Sequence, residues 1–265
     1  MITRPPPPPG VPVIQMQHVT VGAMRDLSMA VVEDVNWTVA PGEYWIIAGL
    51  QGSGKSDFMM MTAGLMPPAE GNYLLFGEQM PIFEEARLQE RLRLGLVFET
   101  GQLFNHLTVW ENIALPLRYH ENLTKADGMP EVQPFLECLE LEPWADSTPG
   151  AISRNWQKRV GLARALILQP DVLLVDNPLI GLDLRHIGWW IEFLQQLSKG
   201  HKLLGGKPLT LIVTTADLRP WTGKPGRFAT LRNKRLSVLG GWADIGAESG
   251  ELVRELLMAG EGRPE

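Results

Sequence analysis

The sequence predicts an α/β fold in which a mostly parallel sheet surrounds a phosphate-binding loop, and three features support this prediction. Residues Gly49–Ser56 read GLQGSGKS and fill every fixed position of the P-loop pattern G-x-x-x-x-G-K-[ST]. The apolar run Tyr44–Ala48 leads into this loop as a strand, and a helix leads away from Ser56. The short apolar runs Val172–Val175 and Leu209–Val213 are typical of strands buried on both faces of a parallel sheet.

The composition narrows the class of protein. Of the 265 residues, 45% are hydrophobic, which is enough to fill a substantial core. The net charge of −6 argues against a nucleic-acid partner, because nucleic-acid-binding proteins usually carry a basic surface. No apolar run reaches the roughly 18 residues that a membrane span needs. The single Cys138 excludes an internal disulfide, and with no visible signal peptide it predicts a cytoplasmic location.

One domain is predicted over residues 13–240. A proline run at Pro5–Pro9 predicts a disordered tail over residues 1–12, and residues 241–265 are predicted to form a C-terminal extension. Pro41 and Gly42 are expected to turn the second strand back onto the P-loop strand as a hairpin. Further strands are predicted at Val13–Val21, Val31–Val39, Asn72–Phe76, Leu94–Phe98, Arg227–Leu231 and Leu236–Leu239. Helices are predicted at Ile82–Arg93, Leu184–Leu197 and Gly250–Ala259, and the P-loop helix should end near Gly64.

The middle of the chain changes from a pattern that alternates strands and helices to a run of helices. Three helical patterns follow one another at Val109–Tyr119, Glu131–Leu139 and Asn155–Leu168, with no obvious strand between them. This order predicts an α-helical subdomain, over about residues 100–168, inserted between two strands of the parallel sheet.

The P-loop residues have distinct expected roles. Glycines let the loop curl so that peptide N–H groups point at phosphate oxygens. Lys55 is expected to reach the β- and γ-phosphates of ATP, and Ser56 to ligand Mg²⁺. The candidate nucleotide-binding residues are Gly49, Gln51, Gly52, Ser53, Gly54, Lys55, Ser56 and Asp57. The alternative is a glycine-rich turn that carries Lys55 and Ser56 incidentally.

A second half of the site is expected at the end of another strand. Asp176 directly follows the apolar run Val172–Val175, and an acidic residue in that place holds Mg²⁺ in P-loop ATPases. The segment Asn177–Asp183 after it makes this interpretation more specific. The alternative is that Asp176 only caps the next helix.

The chain resembles the ATP-binding subunits of ABC transporters, over nearly all of Val13–Leu239. The resemblance rests on the P-loop and on four further stretches: Leu96–Leu117, Ile152–Leu166, Val172–Asp183 and Leu211–Asp217. Within that family, Gly101–His120 is most similar to the Mla-type subunits that energise phospholipid transport. The resemblance implies a parallel-sheet ATPase core, an antiparallel β subdomain on its N-terminal side and a helical subdomain.

The resemblance also implies partners and a mechanism. Two ATP-binding subunits face each other head to tail, as a homodimer or a heterodimer, and ATP with Mg²⁺ lies between the P-loop of one and the signature loop of the other. Closure and reopening of this pair drive integral membrane permease subunits, so the chain would lie peripherally on the inner face of the cell membrane. The surface near Glu99–Leu117 is expected to contact the permease.

The signature loop departs from the family pattern. The family sequence L-S-G-G-Q aligns here with Ile152–Trp156, so its two glycines are replaced by Arg154 and Asn155. Side chains at these positions obstruct the close approach of backbone to phosphate that glycine permits. Ser153 is retained and is expected to bond the γ-phosphate of an ATP on the other subunit. Arg154 is expected either near that phosphate or turned to solvent, and the second alternative is favoured.

The hydrolytic positions depart as well. By resemblance, Asn177 replaces the catalytic Glu, Thr215 replaces the switch His, and Glu99 replaces the Gln that reaches the metal, where a carboxylate can still ligand Mg²⁺. An amide cannot accept a proton from water at neutral pH, so Asn177 cannot serve as a general base. Val21 takes the place of the aromatic residue that stacks on adenine.

The predicted function is therefore an ABC-type subunit that couples ATP binding to a separate permease, with lipid as a candidate cargo and with slow or no hydrolysis. Two alternatives stay open. One is a nucleotide-gated regulatory or structural protein without a transport role. The other is an active ATPase that uses Glu99 as its base.

Overall fold

Two β-sheets organise the computed structural model, which describes residues 10–80, 87–120, 125–245 and 250–258. The first sheet is antiparallel, with strand order β2-β1-β4-β5. Its strands are β1 (Ile14–Ala23), β2 (Asp26–Val39), β4 (Glu70–Leu75) and β5 (Glu78–Gln79).

The second sheet has six strands in the order β10-β9-β3-β8-β7-β6. All neighbours are parallel except the final hairpin of β9 and β10. Its strands are β3 (Tyr44–Ala48), β6 (Leu94–Val97), β7 (Val172–Val175), β8 (Thr210–Thr215), β9 (Arg227–Arg232) and β10 (Arg235–Gly241). The predicted P-loop strand and the predicted strand at Val172–Val175 are found with the predicted limits.

The hairpin predicted at Pro41 and Gly42 is wrong. β2 pairs with β1, whereas β3 pairs with β8 and β9 in the other sheet. The burial pattern explains the difference. Val35–Val39 alternates between buried and exposed side chains, as in a sheet with one covered face, whereas all five residues of β3 are buried. The turn therefore carries the chain from one sheet to the other.

Most helices lie where the sequence predicts them. They are α1 (Lys55–Thr62), α2 (Leu88–Arg91), α3 (Val109–His120), α4 (Lys125–Cys138), α5 (Arg154–Leu166), α6 (Leu184–Lys199) and α7 (Gly250–Met258). The helix predicted at Ile82–Arg93 lies partly outside the described residues, and within them it contains the single turn α2. The proline run Pro5–Pro9 lies outside them. α3 to α5 occupy the interval between β6 and β7, and the limits proposed for the helical subdomain remain a prediction.

The parallel sheet separates two hydrophobic cores. Ile46 and Ala48 of β3 face a core that also contains α3 to α6, whereas Trp45 and Ile47 face the antiparallel sheet and α1. Because successive strand residues point to opposite faces, one apolar strand serves both cores. No helix among the described residues has the length and apolarity that a bilayer crossing requires. The carboxyl ends of the parallel strands meet at one edge, where the candidate site lies.

Candidate nucleotide-binding site

The P-loop joins β3 to α1 in a conformation that requires glycine at fixed positions. Gly54 caps the N-terminus of α1 with a φ of 92°, in the left-handed region that favours glycine. At Gly49 a Cβ would lie 2.6 Å from the Ser53 hydroxyl oxygen and 2.7 Å from the carbonyl of Leu231. A side chain at either position would therefore disturb the loop.

Lys55 is buried inside this loop. Its Nζ donates hydrogen bonds to the carbonyls of Gly49 at 2.7 Å and Leu50 at 2.8 Å, and lies 3.4 Å from the Ser53 hydroxyl. Burial lowers the pKa of the Lys55 ammonium, and the negative charges of Asp176 and Glu99 oppose that shift. The loop thus holds a cation within reach of the cavity beside it.

Asp176 lies at the centre of a hydrogen-bond network at the end of β7. The Ser56 hydroxyl donates to its Oδ2 at 2.7 Å, and the Thr214 hydroxyl donates to its Oδ1 at 2.6 Å. The same Thr214 oxygen accepts the Asn177 N–H at 3.0 Å. Thr214 is fully buried in β8 and is a site residue that sequence reasoning missed. Its sequence signal is a hydroxyl near the carboxyl end of β8, and the neighbouring Thr215 carries the same signal.

The oxygen atoms of Ser56 and Asp176 fit a Mg²⁺ ion, since this ion is commonly held by one or two protein oxygens together with substrate phosphates. Within the described residues, no group of three or more His, Cys, Asp and Glu side chains forms a cluster that would hold a metal alone. A Mg²⁺ bound here would therefore depend on Ser56, Asp176 and the nucleotide itself, and Glu99, the third predicted ligand, lines the same cavity.

The network predicts a stability effect at Thr214. We expect Thr214→Val to lower the free energy of unfolding by about 2–3 kcal/mol, because it removes a buried donor to a carboxylate and the acceptor of the Asn177 N–H. Thr214→Ser keeps both bonds and loses one methyl group, so about 1 kcal/mol is expected. Urea unfolding of the two variants measures the difference. Equal stability of Thr214→Val and the parent would contradict this account.

Glu99 and Asn177 are in direct contact. The Asn177 amide donates from Nδ2 to Oε2 of Glu99 at 3.0 Å. Asn177 has a φ of 45°, a left-handed conformation that asparagine tolerates better than most residues. Both side chains line a cavity of about 230 Å³. Its wall also includes Val31, Gln51, Gly52, Gly54, Lys55, Ser56, Asp57, Asp176, Ile180 and Ala216. The structure thus gathers most of the predicted site residues around this one cavity, hereafter the phosphate cavity.

Several predicted positions do not line this cavity, and Thr215, Ser53 and Val21 are three of them. The Thr215 hydroxyl accepts the Asp217 N–H at 3.2 Å and donates to the Asp217 carbonyl at 2.9 Å, while Ala216 lines the cavity. Ala216 therefore takes the place at the cavity that we assigned to Thr215. Ser53 lines an adjoining cavity of about 630 Å³. Val21 is fully buried in the core and offers no surface to a base.

The signature segment begins α5. Ser153 is its exposed N-cap residue and makes no side-chain capping bond, and Arg154 is exposed. Asn155 is 5% exposed, and neither polar atom of its amide has a hydrogen-bond partner among the described residues. Arg154 is therefore free to meet solvent or the phosphate of an ATP on another subunit, and both alternatives remain predictions.

The family profile described as "ABC transporter" matches residues 32–180, which include the P-loop, Glu99, Asp176 and Asn177. The match covers more than half of the chain. The chain belongs to the ABC transporter family. Its fold agrees, because two solved ABC cassettes superpose closely. The cassette cbiO1 from Clostridium perfringens has a TM-score of 0.74 and 22% identity over 93% of this chain and 94% of cbiO1. The cassette MJ0796, dimeric and bound to ADP and Pi, has a TM-score of 0.73 and 26% identity over 84% and 96% of the two chains.

Curated relatives of this ABC domain belong to different transport systems. It is 33% identical to the spermidine/putrescine import ATP-binding protein PotA of Trichodesmium erythraeum, over 81% of this chain. The chain spans only about half, 53%, of PotA. It is 28% identical to the intermembrane phospholipid transport ATP-binding protein MlaF of Escherichia coli strain K12, over 88% of this chain and 87% of MlaF. The predicted fold class and family are confirmed.

Proposed function

We propose that this ABC domain is an ATP-binding subunit that binds Mg-ATP, associates with a second such subunit when ATP is bound, and hydrolyses ATP slowly or not at all. Through that association it would drive integral membrane permease subunits, against which it would lie peripherally on the cytoplasmic side. The dimeric state of MJ0796 supports the association step. The observation that carries the proposal is the amide of Asn177 bonded to Glu99 at the edge of the phosphate cavity.

The residues that would bind the nucleotide phosphates and Mg²⁺ are all present in this chain. Lys55 and the loop N–H groups would hold the phosphates, and Ser56 with Asp176 would hold Mg²⁺. Bound Mg²⁺ would supply charge neutralisation at the phosphates. Asn177 can orient a water molecule but cannot accept its proton, and Ala216 offers no polar side-chain atom. These residues are therefore expected to bind Mg-ATP firmly and to hydrolyse it slowly.

Sedimentation velocity of the full chain, with Mg-ATP, Mg-ADP or no nucleotide, tests this proposal alongside phosphate release. We expect a dimer only in the presence of Mg-ATP. The dimer should persist because ATP turnover lies well below about 1 s⁻¹, the lower end of common enzyme rates. A chain that stays monomeric with Mg-ATP, or that releases phosphate at common rates, would contradict the proposal.

Phospholipid is the proposed cargo of the assembled transporter. Two observations support it, namely the match to MlaF over most of both chains and the similarity of Gly101–His120 to Mla-type subunits. Capture of the complex through this chain from native membranes, followed by mass spectrometry, should find an integral membrane protein with bound phospholipid. A complex that retains polyamine or another solute and no phospholipid would contradict the proposal that phospholipid is the cargo.

A second candidate is an ATPase in which Glu99 is the general base. The contact between Asn177 and Glu99 favours it, because the carboxylate then lies 3.0 Å from the side chain that replaces the family's catalytic Glu. The regulatory alternative gains no comparable support.

A further inference from the structure

Lys158 is a buried cation that neither the P-loop nor the metal site uses. It lies in the second turn of α5 and is 4% exposed. Its Nζ donates to the carbonyl of Pro178 at 3.0 Å and to the carbonyl of Ile180 at 2.8 Å. Both carbonyls belong to the loop that leads from Asp176 to α6. One ammonium group therefore joins the signature helix to the loop beside the phosphate cavity.

Lys158 interacts electrostatically with the signature segment and with the acidic residues of the phosphate cavity. The pKa of the Lys158 ammonium is lowered to about 8, chiefly by burial. The negative charge of Glu99 opposes this shift, the positive charge of Arg154 adds to it, and the negative charge of Asp176 opposes it. Removing an ammonium group from water is costly, and an apolar side chain could fill this position without that cost. A charge at this buried position is better explained by the geometry that it fixes than by stability.

That geometry concerns two exposed segments. One is the signature segment, which the family resemblance places against another subunit, and the other is the loop before α6. Ile180 offers its carbonyl to Lys158, lines the phosphate cavity and is 46% exposed. Gly181 follows with a φ of 73°, and Leu184, the first residue of α6, is 86% exposed. At the other end of the link, Ser153 and Arg154 are exposed at the start of α5. Lys158 lies between these surfaces.

We propose that Lys158 is a positioning residue for ATP-driven association: its ammonium holds the loop at 178–180 in register with the first turns of α5, so that both segments meet a second subunit together. This inference rests on the proposed function. It assigns Lys158 no contact with nucleotide, so nucleotide binding by the single chain should not depend on it.

Three full-length variants test the inference: Lys158→Met, Lys158→Arg and, as a control, Lys199→Met at the exposed end of α6. Mg-ATP affinity is measured at a protein concentration where the chain is monomeric, and association by sedimentation velocity. We expect Lys158→Met to bind Mg-ATP within about twofold of the parent and to associate at least tenfold more weakly. Lys158→Arg, which can donate to both carbonyls, should recover most of the association, and Lys199→Met should match the parent.

Two results would overturn the inference while leaving the proposed function intact. One is normal association of Lys158→Met. The other is an equal loss of nucleotide affinity and association, which would indicate only a damaged fold. If Lys158→Met does not fold, Lys158→Gln takes its place under the same criteria. A parent chain that does not associate with Mg-ATP would overturn both proposals, and that measurement is made on the parent alone.

Discussion

Exchange of the two side chains at the edge of the phosphate cavity, by Glu99→Gln together with Asn177→Glu, is expected to raise ATP turnover at least tenfold. The upper bound is the gain of about 10²–10⁴-fold that a positioned general base provides. Asn177 is the second residue after β7, next to Asp176, and its side chain already donates a hydrogen bond to Glu99 at 3.0 Å. The exchange keeps one amide and one carboxylate in contact but moves the carboxylate to the position of the family's catalytic Glu. Phosphate release under saturating Mg-ATP measures the effect.

The single variants separate the two candidate mechanisms. Asn177→Glu alone places two carboxylates at about hydrogen-bond distance, so their repulsion should limit the gain. If Glu99→Gln alone abolishes a measurable turnover of the parent, Glu99 is the base and the second candidate function is correct. If the double variant gains nothing, the amide at Asn177 is not what limits turnover, and the limit lies with Ala216 or with Arg154 and Asn155.

The exchange also has an expected structural cost. Asn177 has a φ of 45°, and residues without a short polar side chain adopt this region at a cost of about 1–2 kcal/mol. Urea unfolding should therefore show that both variants carrying Asn177→Glu are less stable than the parent by about that amount. The rates must be compared at a temperature where all variants are folded.

The sequence predicts the phosphate- and metal-binding part of this site from chemistry that is local in the chain. The P-loop carries its glycines, Lys55 and Ser56 within eight positions, and Asp176 follows an unmistakably buried strand. The contact between Asn177 and Glu99 joins residues 78 positions apart. This contact forms because β6 and β7 are parallel neighbours in the sheet, and the separate motifs do not predict that pairing.

The end of β8 shows why the other half was harder to predict. Thr214 bonds Asp176, the Thr215 hydroxyl bonds the backbone of Asp217, and Ala216 lines the cavity. Successive strand residues point to opposite faces, so an error of one position assigns the wrong side chain to the site. Lys158 was missed for a related reason, because nothing in a helical pattern indicates that a lysine is buried against the carbonyls of a distant loop.

Lys55→Ala should lower the affinity for Mg-ATP at least about 100-fold, a loss of roughly 3 kcal/mol. The Lys55 ammonium is buried beside Ser56 and Asp176 and is the cation that the P-loop directs at the phosphates. Charge-assisted bonds of this kind contribute about 1.5–3 kcal/mol each. Isothermal titration with Mg-ATP measures the loss. Lys207→Ala is a matched control, because Lys207 is exposed just before β8, at the opposite end of the strand from the cavity.

The Lys55 variant also defines what the Lys158 result means. A chain without the Lys55 ammonium should lose nucleotide binding and, in consequence, association, since association needs bound ATP. A chain without the Lys158 ammonium should lose association alone, because its bonds run to loop carbonyls and leave the P-loop untouched. Nucleotide binding and association are thus expected to fail separately, the first through Lys55 and the second through Lys158. If Lys55→Ala binds Mg-ATP like the parent, the cavity is not the nucleotide site, and every role proposed for the residues around it falls.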